Sequence, residues 1–460
     1  MALLAKTTHP TPPRRFTPAG HLCVAGTRGA VYTPAMTPVS DLIRTFGKIG
    51  LLSFGGPAAQ IALMHRVLVD ERRWLTEKEY LSALSFCMLL PGPEAMQLAT
   101  WSGWRLRGTL GGLISGGLFV APGAVVVLAL AALYAAYGTV PLMQALFMGV
   151  QAAVAVIVIE ALLRVSKRAL KGRAAYAVAA LAFLALFLAN APFPLVILTA
   201  GIWGWVAARH TPRSEATLPD APRAAHTIRT FALWLILWLT PIAALWLIEG
   251  GLLAEIGLFF SQLAILTFGG AYAVLAWMAQ AVVEDKGWLT LRQMMDGLGL
   301  AETTPGPLIL VTEFVGYMAG HRQGGWLTGL AAAAVTLWAT FIPSFMMIFA
   351  GGPWIARITA DPRLAGALSG IMAAVVGVIA NLSIWFAAHV FFGTVGRSTL
   401  GPFSLLTPDP ASFRPAMAAL ALVAGWLLLR RHMPLPLVLA LAALGGLGLQ
   451  AAGLLLPVSI

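Results

Sequence analysis

Charge is what this 460-residue chain has least of. Asp, Glu, Lys and Arg make up 10% of it, against roughly 25% in an ordinary soluble domain. So little charge cannot solvate a globule of this size, which excludes a soluble enzyme, a disordered protein and a coiled coil. Cysteine is almost missing as well. Cys23 and Cys87 are the only two, too few for a disulfide framework or a cysteine metal cluster. The catalytic signatures are missing too. There is no G-x-x-x-x-G-K-S/T loop to cradle a nucleotide's phosphates. There is no H-E-x-x-H pair and no G-x-S-x-G elbow, so an intramembrane hydrolase has no support. The chain reads as a non-enzyme with no cofactor and no metal.

What is present is apolar. Hydrophobic residues make up 59% of the chain. A membrane-spanning helix needs about 20 such residues, so the composition predicts an all-α polytopic membrane protein whose surroundings are the lipid bilayer. Basic residues outnumber acidic ones, 30 to 18. In a soluble protein that would suggest nucleic acid; here it fits the Lys and Arg enrichment of cytoplasmic loops, and no nucleic-acid partner is expected. A smaller share of the charge could draw an anionic substrate to its mouth.

Residues 1–38 are rich in Pro, Thr, Arg and Gly and lack helical periodicity. They read as a disordered cytoplasmic tail, and Met36 is an alternative start that would leave the membrane part intact. Apolar segments follow at 42–66, 80–101, 108–135, 141–164, 174–190 and 193–208. A polar, Pro-bearing linker spans 211–230, and a linker helix falls at 231–249. Six more segments lie at 256–283, 293–318, 325–350, 364–392, 414–430 and 434–455. This gives about 13 segments, with a first repeat over 39–210, the linker, a linker helix over 231–250 and a second repeat over 251–460.

An internal repeat is the strongest signal. Phe54-Gly55-Gly56 recurs as Phe268-Gly269-Gly270, Trp74-Leu75-Thr76 as Trp288-Leu289-Thr290, and Pro91-Gly92-Pro93 as Pro305-Gly306-Pro307, all at an offset of 214. Sixteen of the 48 ungapped positions from Phe46 to Pro93 are identical, which implies common descent. Six segments, one linker helix and six more must invert the second copy in the membrane. Most basic loops then fall inside. Arg66–Lys78, Arg322, Arg397 and Arg414 do not; the Arg66–Lys78 exception is explained if 42–66 and 80–101 are re-entrant hairpins. Gly112-x-x-x-Gly116 and Gly325-x-x-x-Gly329 read as matching helix-packing faces.

The chemistry is expected where the helices break. Two prolines remove two amide donors, and the glycine between them permits a sharp turn, so each Pro-Gly-Pro must interrupt its segment. Broken backbone at membrane depth is tolerated only where protein or a water cavity satisfies it. The helix that resumes presents free N–H groups and a positive dipole end, which attract anions. Gly55-Gly56 with Pro57, and Gly269-Gly270, should unwind the first helix of each copy. Beside the breaks stand Ser53, Gln60, Gln97, Thr267, Thr303, Thr304 and Thr312, neutral groups able to hydrogen-bond a tetrahedral oxyanion. Glu94 follows Pro93, and Glu302 precedes Thr303-Thr304-Pro305; ionisable groups in lipid are costly and mark functional cavities. Glu160 and Glu313 read as interfacial, near helix ends. Lys48, His65, Arg66, Arg105, Lys286 and His321 read mainly as snorkelling residues. Inverted repeats with broken helices are the layout of many secondary transporters, whose sites lie near the midplane.

At these motifs the sequence resembles the chromate ion transporter (CHR) family in its long two-domain form. The resemblance is carried by Phe46–Pro57, Trp74–Thr76, Leu90–Gln97 and Glu302–Pro307, and it extends over roughly 40–455. It implies chromate efflux from the bacterial cytoplasm across the inner membrane, driven by the membrane potential or a proton gradient. It also implies handling of sulfate, which has the same shape and charge. The substrate is expected between the Pro-Gly-Pro and Phe-Gly-Gly breaks, with Glu94 or Glu302 carrying the proton or gating. A sulfate or other oxyanion carrier and an anion channel stay open as alternatives, as does a homodimer.

Overall fold

The computed structural model describes residues 37–211, 223–248, 250–268, 271–400 and 403–453. Residues 1–36 of the expected 1–38 tail, most of the linker, Gly269 and Gly270 lie outside the described residues. What is described is almost entirely helical. Five stretches are long and apolar enough to cross a membrane: Glu94–Tyr137, Pro141–Ala169, Ala224–Ile248, Leu308–Thr359 and Pro362–Phe391. The expected all-α membrane architecture is met.

The first repeat opens with α1 (Val39–Leu52) and α2 (Gly56–His65), parted at Ser53–Gly55 where the glycines interrupt the helix. A π-helical turn, Arg66–Glu71, prolongs α2. Helix α3 (Glu77–Leu89) starts on a capping box, in which the Thr76 side chain accepts from the Glu79 amide and Glu79 answers to the Thr76 amide. It ends at Pro91-Gly92-Pro93. Helix α4 (Glu94–Tyr137) then resumes, but Arg107 and Gly108 inside it are not helical. Here the chain doubles back. A Cβ at Gly111 would strike the Gly103 carbonyl, and one at Gly116 would strike the Thr100 hydroxyl. Residues eight or more apart on one straight helix lie about 12 Å apart, so 94–106 and 109–137 are antiparallel limbs.

Next come α5 (Pro141–Ala169), α6 (Arg173–Phe187), α7 (Phe193–Ala207) and the linker helix α8 (Ala224–Ile248). The second repeat restates the first: α9 (Leu252–Leu266), α10 (Ala271–Gln280) with a π turn at Ala281–Asp285, and α11 (Leu291–Thr303) on a Thr290–Gln293 capping box. Helix α12 (Val311–Gly351) follows, reversing at Gly324–Gly325. Gly325 is therefore the hairpin turn, with φ +74°, and the structural partner of Gly108. This corrects the reading of Gly325 as a packing face matched to Gly112; the slip between copies is three residues.

The hairpins reach only half-way. Helix α1 runs beside the long limb of α4 in the same direction. Arg107 donates to the Thr37 carbonyl at 2.8 Å where both begin, and Gly50 lies against Leu118 and Pro122 further along. Helix α1 therefore stops near the level of Gly123, the centre of the limb 109–137. Gly123 itself packs on the Pro305 carbonyl. Helices α3 and 94–106 form a second hairpin of similar depth, closed at its base by Arg105 and Glu79 at 3.0 Å. The readings of 42–66, 80–101, 256–283 and 293–318 as single segments are thus replaced by pairs of short helices. Their central glycines and prolines cannot continue a helix, and the tips find backbone partners at mid-depth.

The two hairpin bases lie far apart. The long limb of α12, 326–351, starts at the second repeat's turn and ends with Gly352 against Trp104 of the first repeat's base. At 1.5 Å per residue that is about 40 Å. The second base is tied by Arg322 donating to the Trp288 carbonyl at 2.7 Å and by Lys286 facing Glu255 at 3.7 Å.

The remaining elements are α13 (Ile355–Thr359), α14 (Pro362–Phe391), α15 (Pro415–Gly425) and α16 (Leu435–Ala451). Helix α14 packs along α6 and α7, where Gly370 and Gly377 admit the neighbouring backbones. A two-stranded antiparallel hairpin, β1 (Val395–Leu400) and β2 (Phe403–Pro408), interrupts the helices. Apolar periodicity at helical scale gave no hint of it. Arg397 on β1 reaches Glu284 at 2.7 Å and so is anchored at the second hairpin base.

Candidate functional site

The four helix breaks meet in two pairs. The Gly92 amide donates to the Thr267 carbonyl at 2.7 Å, and the Gly306 amide donates to the Ser53 carbonyl at 2.9 Å. Each bond joins a Pro-Gly-Pro tip of one repeat to the first break of the other. Gln60 adds to the second junction, giving its amide to the Gly306 carbonyl at 2.6 Å and to the Ser53 carbonyl at 3.3 Å. Gln97 steadies the first, donating to the Pro91 carbonyl at 2.6 Å. Backbone that leaves a helix inside lipid must find such partners, since each unsatisfied group costs several kcal/mol.

Both glutamines are buried, and their Oε1 atoms have no hydrogen-bond partner among the described residues. Past each tip, a helical segment starts without a side-chain cap, on Pro93 and on Pro307. The first amides of an uncapped helix have no internal partner. Here they lie among buried residues, Ala95 and Met96 on one side and Leu308 and Ile309 on the other. Each junction thus offers amide donors from one helix start and an acceptor from one glutamine.

The hydroxyls are placed differently from expectation. Ser53 donates to the Ile49 carbonyl and Thr267 to the Leu263 carbonyl, both at 2.6 Å. Thr303, Thr304 and Thr312 donate to Leu300, Ala301 and Ile309. Each proton is committed to the residue's own helix, so these groups face a ligand as lone pairs rather than donors. Phe54 is 41% exposed and Phe268 is half-buried against α7; neither enters the tip junctions. Pro57 opens α2, and Gly55 and Gly56 form the turn before it.

The two acids also differ. Glu94 starts α4 half-buried, where its carboxylate accepts from its own backbone amide and lies within Coulombic reach of Arg168. Glu302, 8% exposed, accepts from the Tyr272 hydroxyl at 2.8 Å. Arg164, ion-paired to Glu160 one turn away on α5, stands within Coulombic reach of Glu302. Glu160 is thus inside α5, not near its end. Glu313 is 1% exposed, and its Oε2 has no partner among the described residues, so it is not interfacial. Of the proposed cations, His65, Arg66, Arg105 and Lys286 pair with acids at the hairpin bases, and His321 stacks on Tyr317.

A second buried polar cluster went unread in the sequence. Asp296 on α11, 1% exposed, accepts from the Tyr134 hydroxyl at 2.6 Å and from Gln151 at 2.7 Å. The signal was an acid one turn after Arg292 in an apolar segment. Tyr134, Gln151, Tyr272 and Arg164 carried none, because an isolated polar residue on a spanning helix has no partner visible in sequence.

Half-depth hairpins whose broken tips meet between long apolar helices define a polytopic all-α membrane protein with a polar centre. The chain belongs to the chromate transporter family, whose sequence model matches residues 40–205 and 254–447. The gap between the two matches contains α8. A probable chromate transport protein of Synechococcus elongatus is 30% identical over 418 residues, covering 89% of this chain and 95% of the relative. The chromate transport protein of Pseudomonas aeruginosa is 34% identical over 78% of this chain and 83% of its own. That of Cupriavidus metallidurans is 28% identical over 78% and 85%. No solved structure matches the chain.

Proposed function

We propose that this chain is a secondary active transporter that exports chromate from the cytoplasm across the bacterial inner membrane. The observation that carries the reading is the reciprocal pair of tip bonds, Gly92 to Thr267 and Gly306 to Ser53. It gathers four helix breaks at the mid-depth of the long limbs, the region where carriers built on inverted repeats hold their substrates. The relatives named as chromate transport proteins supply the substrate; sulfate is the natural competitor.

In this reading the two repeats are inverted, with one hairpin base at each membrane face. A tetrahedral oxyanion rests among the tips. The free amides after Pro93 and Pro307 bind its oxygens, and the Gln60 and Gln97 Oε1 atoms accept from water or from a protonated oxygen. No fixed cation reaches either junction among the described hydrogen bonds, so a proton on Glu94 or Glu302 offsets part of the dianion's charge. Losing that proton repels the oxyanion and releases it. Access alternates as one pair of hairpins rocks against the other about the tip bonds.

Labelled chromate uptake into everted vesicles, with and without an uncoupler, tests this. Saturable uptake that the uncoupler abolishes and that sulfate competes is the expected result. Uptake indifferent to the uncoupler overturns active transport, and flux that never saturates identifies an anion channel.

A further inference from the structure

At the open end of the α1/α2 hairpin is a cavity of about 250 Å³ that the transport reading does not use. Arg44, Lys48, Arg66 and Arg72 line it, and Glu71 is the one carboxylate among its lining residues. Arg66 lies 3.6 Å from Glu71, and Arg72 lies over the Trp74 ring at 5.6 Å. Arg44 and Lys48 have no ion-pair partner among the described residues. Glu71 offsets one of the four positive charges, and the remaining cations around the cavity would be stabilised by a further anion.

Thr45 lines the same cavity. It is 2% exposed, and its Oγ1 has no hydrogen-bond partner among the described residues. A helical threonine ordinarily donates to the carbonyl four residues back, as Thr100 and Thr336 do here. A buried, unpaired hydroxyl is costly, and this one sits among cations that cannot accept its proton.

The charge is not a requirement of the hairpin frame. At the offset of 214, the second repeat builds the same helix, break, helix and π turn with Leu258 for Arg44, Phe259 for Thr45, Gln262 for Lys48 and Gln280 for Arg66. Three of the four cationic positions are uncharged in the second repeat, and the fourth, Arg72, keeps a cation as Lys286.

We propose that this pocket binds a tetrahedral oxyanion, held by Arg44, Lys48 and Arg66 and by a hydrogen bond from Thr45. Guanidinium groups bind such oxygens in paired, charge-assisted bonds. Two sources carry this chemistry: a free inorganic oxyanion and the phosphate of an anionic lipid headgroup. Ile43, 48% exposed, lies next to Arg44 on α1 and leaves the bilayer within reach.

The test uses the purified full chain in a neutral detergent, with labelled sulfate in equilibrium dialysis and short-chain phosphatidylglycerol as a competitor. Sulfate held at the hairpin tips is the part that pocket variants leave unchanged. The pocket component should disappear in the Arg44→Gln/Lys48→Gln double variant. In Thr45→Val it should bind about tenfold more weakly, the loss of one hydrogen bond to a charged group, with no fall in thermal stability. Displacement by phosphatidylglycerol shows that the pocket takes both sources, and binding of phosphatidylglycerol alone assigns it to lipid. Both results support an oxyanion site. If neither ligand binds, or if binding is identical in wild type and both variants, the proposal falls. Binding needs no transport: a chain that binds here but does not move chromate refutes the transport reading alone, and one that transports without binding here refutes this site alone.

Discussion

The Gly92 amide donates to the Thr267 carbonyl, and the Gly306 amide, 214 residues after Gly92, donates to the Ser53 carbonyl, 214 residues before Thr267. Two contacts that interchange when the halves interchange are the signature of a two-fold relation. The amide of each Pro-Gly-Pro glycine finds its acceptor in the opposite repeat, so each repeat completes the other.

Gly92 and Gly306 are held at φ +123° and +90°. A Cβ on Gly92 would meet Gln97 Nε2 and Ser344 Oγ, and one on Gly306 would meet Leu310. Gly92→Ala and Gly306→Ala should each destabilise the fold by about 1–3 kcal/mol, the usual cost of a strained backbone position. Gly47 in α1 has nothing near its Cβ direction, so Gly47→Ala is the control and should be neutral or stabilising. Thermal unfolding in detergent, followed by Trp fluorescence, measures all three.

If the repeats are inverted, the two π turns face opposite sides of the membrane. In a chain with Cys23 and Cys87 replaced by serine, Asp70→Cys should react with an impermeant maleimide from the cytoplasmic face only. Asp285→Cys should react from the opposite face only. Labelling of both from one face would overturn the inversion.

Glu94 and Glu302 are the acids nearest the tips. Glu94→Gln and Glu302→Gln should insert normally, and at least one of them should lose the pH dependence of vesicle transport. Unchanged pH profiles in both variants remove these acids from the mechanism.

The Asp296 cluster is structural in this account. Asp296→Ala orphans the Tyr134 hydroxyl and the Gln151 amide and should cost about 2–5 kcal/mol, whereas Tyr134→Phe removes one bond and should cost about 1–3 kcal/mol. Melting temperatures of the two variants give the ranking; equal losses would place the key contact on Tyr134 instead.

Much of this was legible in the chain because breaks are local chemistry. Pro91-Gly92-Pro93 and its copy announce an interruption whatever surrounds them, and duplication at a fixed offset announces two related halves. Membrane class followed from the scarcity of charge. Depth was not legible. A segment such as 42–66 is long enough to span, and only the packing of Gly50 against Leu118 and of Gly123 against Pro305 shows that α1 stops half-way. The turns at Arg107–Gly108 and Gly324–Gly325 fall at the boundaries between 80–101 and 108–135 and between 293–318 and 325–350, but one glycine among good helix formers does not distinguish a reversal from a packing face, so the sequence alone pairs Gly325 with Gly112. The hydroxyls misled for a similar reason: Ser and Thr in lipid usually spend their proton on their own helix, and sequence does not say which do. Asp296 and Tyr134 meet across 162 positions, a pairing that only the fold supplies.

The crossed tip bonds also bear on how such a chain is made. Gly92 and Ser53 leave the ribosome 175 and 253 residues before their partners Thr267 and Gly306 (267 − 92 and 306 − 53), so the first repeat's hairpins cannot finish settling until the second repeat arrives. Assembly of the centre is thus a late, long-range event. A chain ending after one repeat would have to borrow the missing carbonyls from a second, oppositely inserted copy.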